Sequence, residues 1–258
     1  MSSVAPEEVA EDLEAYFMLR PSWAREMRRN VVLIDGGGPF RSAVRVRLEG
    51  DVEVSIDAVR AWFRMRDRET FSWKLGTHAT PGDLESRLHD HGAYEAEKHT
   101  AMILDREPPA VAGIDVRAVE SYEDYIRSQE IINVVVRGEL TDEDRAAARE
   151  GLPRRSADYR DHPISRRYLA FIDGKAVATG NAIQTSEGVL ALAGGATLPK
   201  ARGRGAHRAL VRMRWDDAVA AGIPILVTQA NAISRPILEH LGFRVLGPVR
   251  ELIDTTRP

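Results

Sequence analysis

The chain has 258 residues, of which 43% are hydrophobic, so it has enough apolar material for two domains with cores of their own. No stretch approaches the roughly 18 consecutive apolar residues of a membrane span, and the acidic N-terminus does not resemble a secretory signal. The net charge of -3 argues against a general nucleic-acid binder, and the absence of cysteine excludes disulfides, thiolate metal sites and an acyl-cysteine intermediate. We therefore expect a cytoplasmic protein that binds neither a membrane nor a nucleic acid.

The first hundred residues carry weak patterns. Apolar spacing predicts helices over Val9–Leu19 and Ile56–Met65, and strands over Val31–Ile34 and Ala43–Leu48. The strands flank Asp35–Pro39, which contains three consecutive glycines. A phosphate loop would need a following Lys-Ser/Thr pair, and proline removes a backbone donor, so this segment is predicted to be a hairpin turn. Four aromatic side chains are predicted to lie in the core: Trp62, Phe63, Phe71 and Trp73.

Two consecutive prolines, Pro108 and Pro109, predict a linker, because neither a helix interior nor a central strand accommodates them. The predicted domains are residues 1–108 and residues 109–258. A shift of 150 positions aligns the ends of these two parts without a gap. The aligned pairs are Leu88 with Leu238, Gly92 with Gly242, Ala93 with Phe243, Met102 with Leu252, and Ile103 with Ile253. Each segment is predicted to be a helix ended by glycine and followed by two strands, which suggests two copies of one fold with the first degenerate.

The second part alternates strand and helix signals. Ile114–Val119 is a predicted strand, and Ser121 is the predicted N-cap of a helix, with an acidic residue three positions later. A second helix is predicted from Thr141 to near Gly151. Three strands follow, the first two joined by an Asp-Gly turn that is typical of hairpins. They are Tyr168–Ile172, Lys175–Ile183 and Val189–Thr197.

A long amphipathic helix is predicted from Gly205 to Ala221, with Gly222 as its C-cap. The remaining elements are a strand over Ile223–Val227, a helix over Ala232–Leu241, and two strands over Phe243–Leu246 and Val249–Ile253. The order β-α-α-β-β-β-α-β-α-β-β predicts a mixed sheet with crossover helices, hence an α/β or α+β fold.

The stretch from Gly195 to Leu210 is a strand, then a glycine-rich turn, then the start of the long helix. The first backbone N–H groups of a helix have no intrahelical partner, and together with the helix dipole they favour an anion. Gly203 and Gly205 let a phosphate approach the backbone, and two arginines add positive charge. A dinucleotide fingerprint would need a third glycine where Arg208 stands, and a Walker loop would need Gly-Lys-Ser/Thr, so neither motif is complete.

The segment Arg202-Gly203-Arg204-Gly205-Ala206-His207 resembles the (Gln/Arg)-x-x-Gly-x-(Gly/Ala) signature of the GCN5-related N-acetyltransferase (GNAT) family, although His207 departs from its last position. Gln229-Ala230-Asn231 and Leu241-Gly242-Phe243 are also similar to this family. The resemblance covers about residues 113–253. It implies a mixed, mostly antiparallel sheet with flanking helices. The alignment at a shift of 150 positions adds the expectation that the smaller N-terminal domain is a degenerate GNAT-like copy.

The resemblance also implies acetyl-CoA as co-substrate. The pantetheine arm would lie along the strand at Ala196, Thr197 and Leu198, with Asn231 near its end. The diphosphate would lie on the amides of six residues: Arg202, Gly203, Arg204, Gly205, Ala206 and His207. An amine would then attack the thioester directly, and a backbone N–H would meet the developing oxyanion.

The catalytic residues stay unassigned at this stage. Many family members have a tyrosine acid where this chain has Leu238. Candidate acids and bases are Glu187, Tyr168, Ser234 and His240, and each also has an ordinary structural interpretation. The histidines at 89, 91 and 99 do not have the spacing of a metal site, so no metal is expected.

The leading hypothesis is an N-acetyltransferase that acts on a small-molecule or peptide amine, with a homodimer left open. The alternative is an acyl-CoA-binding sensor or regulatory module. A Rossmann-type oxidoreductase is disfavoured because its third glycine and ribose-binding acid are missing.

Overall fold

The computed structural model describes residues 4–18, 23–37, 40–137, 142, 146 and 165–256. The helices are α1 (Pro6–Glu11), α2 (Val52–Arg64), α3 (Leu84–Asp90), α4 (Tyr122–Arg137), α5 (Ala206–Ala220) and α6 (Arg235–His240), with short 3-10 helices at Leu13–Tyr16 and Pro199–Ala201. The strands are β1 (Ala24–Met27), β2 (Val32–Gly37), β3 (Phe40–Val44), β4 (Thr70–Leu75), β5 (Tyr94–Leu104), β6 (Asp115–Ala118), β7 (Ser165–Ile172), β8 (Lys175–Gln184), β9 (Leu190–Thr197), β10 (Leu226–Ala230) and β11 (Arg244–Thr255).

The chain divides into two compact units. The first comprises Met1–Ile103 and Thr228–Pro258, and the second comprises Leu104–Val227. The first boundary falls close to the predicted proline linker, whereas the last strands and α6 are counted with the first unit. The predicted domains 1–108 and 109–258 therefore stay a prediction.

In the first unit the strands follow the order β1-β2-β3-β4-β11-β5. The β2–β3 pair forms the predicted hairpin, with Gly37 opposite Phe40. Only β3 and β4 run parallel in this sheet, over Ser42↔Ser72 and Ala43↔Trp73, because α2 provides the crossover between them. Burial confirms the four predicted core aromatics, and Phe63 stacks on Phe71 with ring centroids 4.2 Å apart.

The antiparallel pair β5–β11 carries an internal symmetry. If 150 is added to the number of the β5 residue in a pair and subtracted from that of the β11 residue, the result is a second observed pair. The pairs related in this way are Arg244↔Ile103 with Ile253↔Tyr94, Val245↔Met102 with Leu252↔Glu95, Gly247↔Ala101 with Glu251↔Glu97, and Pro248↔Thr100 with Arg250↔Lys98, while Val249↔His99 maps onto itself. Even the two register irregularities exchange places. The helices before these strands end alike, since Ala93 N donates to Leu88 O and Phe243 N donates to Leu238 O. The repeat predicted from a shift of 150 is therefore also a structural repeat.

Two predictions for the first unit are wrong. The helix predicted over Val9–Leu19 ends at Glu11 and gives way to the 3-10 helix, because acidic side chains of this segment turn inward to partners far along the chain. The two closing strands predicted from Phe243 to Ile253 are one strand, β11. Pro248 interrupts the sequence pattern, but the strand passes it through a register shift between Val245 and Gly247.

In the second unit the sheet order is β10-β9-β8-β7-β6, with β10 contributing Leu226 and Val227. The helix α4 covers one face, where Ile131 packs with Leu169 and Ala196. The helix α5 covers the other face, where Leu210 packs with Tyr168. The mixed, mostly antiparallel sheet with flanking helices is thus confirmed.

Local signals in the second unit are confirmed as well. Ser121 Oγ accepts a hydrogen bond from Asp124 N at 3.1 Å, as an N-cap should. Asp173 and Gly174 both have positive φ, 51° and 72°, which is the geometry of a type I′ hairpin turn. Most of the predicted helix from Thr141 to near Gly151 lies outside the described residues, and the two residues that are described, Asp142 and Ala146, are helical. Among the helices of the described residues, none is both long enough and apolar enough to cross a membrane.

Candidate active site

The strand β9 has one paired edge and one edge that is largely open within its unit. The first two residues of β9, Leu190 and Ala191, pair in parallel with Leu226 and Val227 of β10. Beyond Ala191, the described residues of the second unit supply no strand partner on that edge. Backbone groups of β9 beyond Leu192 are therefore the ones that a ligand with an extended, amide-containing chain would meet.

A β-bulge interrupts β9 beside this open edge. Thr179 pairs with Ala196 and Asn181 with Ala193, so β9 advances three residues while β8 advances two. The extra residue falls at Gly194 and Gly195, which are both exposed, and Gly194 has φ +57°. A bulge leaves a backbone N–H outside the ladder. A donor left outside the ladder at this point would suit an oxygen that gains negative charge.

The turn after β9 is exposed and rich in unpartnered amides. Residues 202–204 are exposed, and Gly205 is the N-cap of α5 with φ +92° and no side-chain cap. The first amide of this helix with a backbone partner is that of Ala209, which donates to Gly205 O at 3.0 Å. Within the described residues, the N–H groups of positions 203–208 have no backbone acceptor. This arrangement is an anion site.

The side chains around the turn add positive charge. Lys200, Arg202 and Arg208 are exposed, and Arg202 Nε donates to Thr197 O at 3.4 Å. Arg204 Nη2 forms an exposed ion pair with Asp173 Oδ2 at 3.1 Å. The turn therefore presents more cations than carboxylates, as a diphosphate requires.

His207 points inward from the first turn of α5. A Cβ at Gly195 would lie 3.3 Å from His207 Cε1, so the ring packs under the bulge. Its Nε2 is buried and has no hydrogen-bond partner among the described residues. Burial, with a smaller contribution from the charge of Arg214, lowers the pKa of His207 to about 4. The ring is neutral near pH 7, so the neighbouring amides and arginines supply the charge of the anion site.

Arg214 lies about two turns after His207 in α5 and is fully buried. Its Nε donates to Leu210 O at 2.8 Å and its Nη1 donates to Asn181 O at 3.0 Å. Burial lowers the pKa of Arg214 to about 10, which still leaves it charged at neutral pH. A Cβ at Gly180 would lie 3.0 Å from Nη1, so a glycine is needed for the guanidinium to reach the sheet. Arg214 thus joins α5 to β8 behind the bulge.

The N-terminal repeat offers an internal comparison. Its unit β3–α2–β4 has the same strand-helix-strand order as β9–α5–β10, and its parallel strands also pair over only two residues. The start of its helix is different, because Asp51 Oδ1 accepts from Val54 N and Glu53 lies in the first turn. These carboxylates take the place that an anion would need and repel it. Of the two repeats, only the C-terminal one keeps the features of a phosphate site.

Two of the predicted catalytic candidates lie in the second unit, away from the turn. Glu187 lies in the β8–β9 connection, before the start of β9, which places it about 25 Å along the strand from Leu198. Tyr168 is buried, and its hydroxyl donates to Asp217 Oδ2. Burial and this bond raise the pKa of Tyr168 well above its usual range, which disfavours it as a base.

The other candidates belong to the first unit, at the end of β10 and on α6. Asn231 Oδ1 accepts from Ile233 N, Ser234 N and Ser234 Oγ at 3.0–3.1 Å, so it holds the turn that begins α6. His240 is exposed in the last turn of α6. Leu238 is 4% exposed and packs in the core. The roles of Asn231, Ser234 and His240 in binding or catalysis stay predictions.

Sequence reasoning missed two features of the site. The consecutive glycines Gly194 and Gly195 inside a strand pattern are a signal for a bulge. Arg214 has no such signal, because its burial depends on Gly180 in another strand. The three histidines that were rejected as a metal site have separate partners: His89 contacts Ala93 O, His91 contacts Glu53, and His99 contacts Glu97. The described residues contain no group of three or more potential metal ligands among His, Asp and Glu.

Comparison with known proteins agrees with this geometry. The model of the acetyltransferase (GNAT) family matches residues 133–243. A GCN5-related N-acetyltransferase from Kribbella flavida shares 19% identity and superposes with a TM-score of 0.68, covering 98% of this chain and 96% of that one. A tandem GNAT protein from the clavulanic acid biosynthesis pathway, solved without acetyl-CoA, shares 13% identity with a TM-score of 0.62, covering 100% and 90%.

A GCN5-related N-acetyltransferase from Sphaerobacter thermophilus shares 18% identity with a TM-score of 0.57, covering 92% of this chain and 76% of that one. No curated protein matches the chain. At these identities the similarity to solved structures establishes the fold, and the match to the family model identifies the domain. The C-terminal half of the chain therefore carries a domain of the GNAT acetyltransferase family, and it follows an N-terminal half with a GNAT-like fold.

Proposed function

We propose that the protein is an acetyl-CoA-dependent N-acetyltransferase that transfers the acyl group directly to an amine, with no covalent enzyme intermediate. The observation that carries this proposal is the exposed turn whose amides at positions 203–208 have no backbone acceptor among the described residues. Family membership supports acetyl transfer in general terms. The absence of cysteine excludes an acyl-cysteine intermediate.

The proposed acetyl-CoA site follows β9 from its end towards its bulge. The amides from Gly203 to His207 and the side chains of Arg202 and Arg204 would hold the diphosphate. The open edge of β9, including Ala196 and Thr197, would hydrogen-bond the amides of the pantetheine arm as a neighbouring strand does. Leu198 would provide apolar contact between these two parts. Asn231 is proposed to lie near the pantetheine end.

When bound, acetyl-CoA supplies an activated thioester, and the chain's own groups have two tasks. A backbone N–H of the Gly194–Gly195 bulge would stabilise negative charge on the carbonyl oxygen. A base must take the proton from the attacking amine. Glu187, Ser234 and His240 remain the candidates for proton transfer, and Tyr168 is the weakest because its hydroxyl is already bound to Asp217.

The second candidate function is an acyl-CoA sensor or regulatory module. It is favoured by one observation, the buried Leu238 at the position where many family members have a tyrosine acid. A sensor would keep the turn that binds the diphosphate and would lack the acid that protonates the leaving thiolate. The acceptor in the leading proposal is a small-molecule or peptide amine.

Two measurements on the full chain separate these functions. Calorimetry with acetyl-CoA tests binding, and a thiol reagent tests release of CoA in the presence of a panel of amines. The chain has no cysteine, so the reagent detects only the product thiol. Binding with amine-dependent thiol release supports the transferase. Binding without release on any amine supports the sensor, and no binding at all contradicts both functions.

A further inference from the structure

Asn181 of β8 places a side-chain amide beside the bulge of β9. Asn181 pairs with Ala193, and a Cβ at Gly194 would lie 3.0 Å from Asn181 Nδ2. Gly194 is exposed, so a ligand atom over this glycine would occupy the space of the missing side chain. Such an atom would lie within hydrogen-bond distance of Nδ2. The glycine therefore opens the surface of the bulge to the amide of Asn181.

The orientation of this amide is fixed by Arg167 in the neighbouring strand β7. Arg167 Nε donates to Asn181 Oδ1 at 2.8 Å. A guanidinium has donors only, so the oxygen of the amide must face Arg167 and its NH₂ group must face β9. Within the part of the chain that the structure describes, Asn181 Nδ2 has no hydrogen-bond partner. Asn181 thus presents a donor of fixed direction at the bulge.

Further contacts hold Asn181 and Arg167 in place. Arg167 is buried, its Nη1 donates to the buried Ser128 Oγ at 2.7 Å, and its guanidinium lies 4.8 Å from the ring centroid of Tyr125 in α4. From α5, Arg214 Nη1 donates to Asn181 O at 3.0 Å. Asn181 is therefore held by two buried arginines, one through its side chain and one through its backbone. A binding group that is fixed in this way needs no rearrangement to meet a ligand.

A fixed N–H donor selects the chemistry of its partner. An ammonium group also has donors only, so the amide disfavours it and favours a carbonyl or carboxylate oxygen. An acceptor would therefore place an oxygen at Asn181 and its amine elsewhere. The amine has to reach the thioester at the Gly194–Gly195 bulge, which lies within one residue of strand, or roughly 3 Å. The oxygen and the amine must then be close together in the acceptor.

We propose that Asn181 binds the carbonyl oxygen of an acceptor whose amine is on the adjacent carbon, as in an amino acid or a peptide N-terminus. In these compounds three bonds separate the nitrogen from the oxygen, so both fit over the bulge. A lysine side chain or a polyamine has no oxygen so close to its amine. The inference rests on the proposed function, because it assumes that the thioester lies at the bulge. Arg167 is a positioning residue, since it acts through Asn181.

Release of CoA from acetyl-CoA on the full chain, detected with a thiol reagent, tests this assignment with matched acceptors. Each set has one side chain in three forms, for example L-leucine, L-leucinamide and isopentylamine. The first two carry the carbonyl group and the third lacks it. A preference for L-leucine indicates a free amino acid, and a preference for L-leucinamide indicates a peptide N-terminus. Since the three amines differ in basicity, each acceptor is compared between protein variants.

Asn181→Ala should lower kcat/KM for the carbonyl-bearing acceptors about tenfold, through the KM of the acceptor, and leave isopentylamine unchanged. Asn181→Asp replaces the donor with a carboxylate of the same size, so it should lower the same values further and raise kcat/KM for isopentylamine. Arg167→Met should show the pattern of Asn181→Ala more weakly, and Arg167→Lys, which keeps a donor for Oδ1, should show less of it. The Kd of acetyl-CoA should not change in these variants. Asn30→Ala and Asn30→Asp, at a half-buried asparagine between β1 and β2, are the matched controls and should change none of these values.

The outcomes distinguish the inference from the proposed function. An equal change for all three acceptors in Asn181→Asp, or release only with amines that lack the carbonyl group, overturns the inference and leaves the proposed function standing. Loss of acetyl-CoA binding in Asn181→Asp shows a structural role for Asn181 and also overturns the inference. If the unmodified protein releases CoA with none of these acceptors or any other amine, the transferase and the inference are both contradicted.

Discussion

Replacing Gly205 with valine should abolish CoA binding while leaving the fold intact. Gly205 has φ +92°, and a Cβ there would lie 3.5 Å from Arg208 Nη2 and 3.6 Å from Val111 Cγ1, which are ordinary contacts. The cost of the valine is therefore backbone strain, about 1–2 kcal/mol for an L-residue in the left-handed region. For a chain of this length that strain lowers the melting temperature by roughly 2–8 °C.

The effect on binding should be much larger than the effect on stability. Relief of the strain rotates the peptide groups on both sides of Gly205, and the new side chain covers the amides of Ala206 and His207. Loss of two hydrogen bonds to a charged phosphate, at about 1.5–3 kcal/mol each, amounts to about 3–6 kcal/mol. This corresponds to a loss of affinity of about 10²–10⁴-fold.

Gly50→Val is the matched control. Gly50 precedes the N-cap of α2 in the N-terminal repeat, has φ +73° and has no atom within 4 Å of its Cβ position, so valine causes comparable strain there. We expect a similar fall in melting temperature with an unchanged Kd for CoA by calorimetry. The reasoning is refuted if Gly205→Val retains its affinity, or if Gly50→Val loses it to the same extent.

Two further predictions concern stability. Arg60→Met should lower the free energy of unfolding, measured by urea denaturation, by about 3–5 kcal/mol, because it leaves the buried Asp254 without its ion pair. Arg235→Met removes one partner of an exposed ion pair and should lower the same free energy by less than about 1 kcal/mol. Equal losses in the two variants would contradict the role of burial. His207 has its pKa lowered from 6.5 to about 4, so the unfolded chain takes up this proton first as pH falls. The free energy of unfolding is therefore unaffected by His207 above pH 6.5, and it falls by about 3 kcal/mol between pH 6.5 and pH 4 as the unfolded chain binds the proton. His207→Gln should remove that part of the pH dependence, and parallel unfolding profiles for the two proteins would rule it out.

The features that the sequence predicts well depend on neighbours within a few positions. The Ser121 cap needs only the amide of Asp124, and the turn at Asp173 needs only a residue pair that tolerates positive φ. The glycine-rich turn before α5 belongs to the same class, since its glycines and the helix start are contiguous. The sequence therefore predicts the turn and the start of the helix, while the binding of a diphosphate by residues 202–207 stays a proposal.

The features that the sequence does not predict depend on distant partners. The strand β4 has Phe71 and Trp73 on one face, yet its alternation is too short to separate it from a core segment of another type. Arg214 looks like a surface residue of an amphipathic helix until Gly180 of β8 is placed beside it. Assignment of the catalytic base fails for the same reason, because a general base is defined by its distance from a substrate.

Acidic side chains of the N-terminal repeat make internal contacts around β3, β4 and the start of α2. Beside the short β3–β4 pairing, Glu14 accepts hydrogen bonds from Ser42 of β3 and Lys74 of β4, so a carboxylate of the chain itself joins the two strands. Burial alone would lower the pKa of Lys74, but nearby carboxylates outweigh it and raise that pKa, which keeps Lys74 charged. Gly76 has no room for a side chain because Glu11 occupies that space. Together with the Asp51 cap, these contacts give polar groups of this repeat partners within the chain, whereas the corresponding helix start of the C-terminal repeat has no side-chain cap. The N-terminal repeat also supplies β5, which pairs with β11 along the internal symmetry.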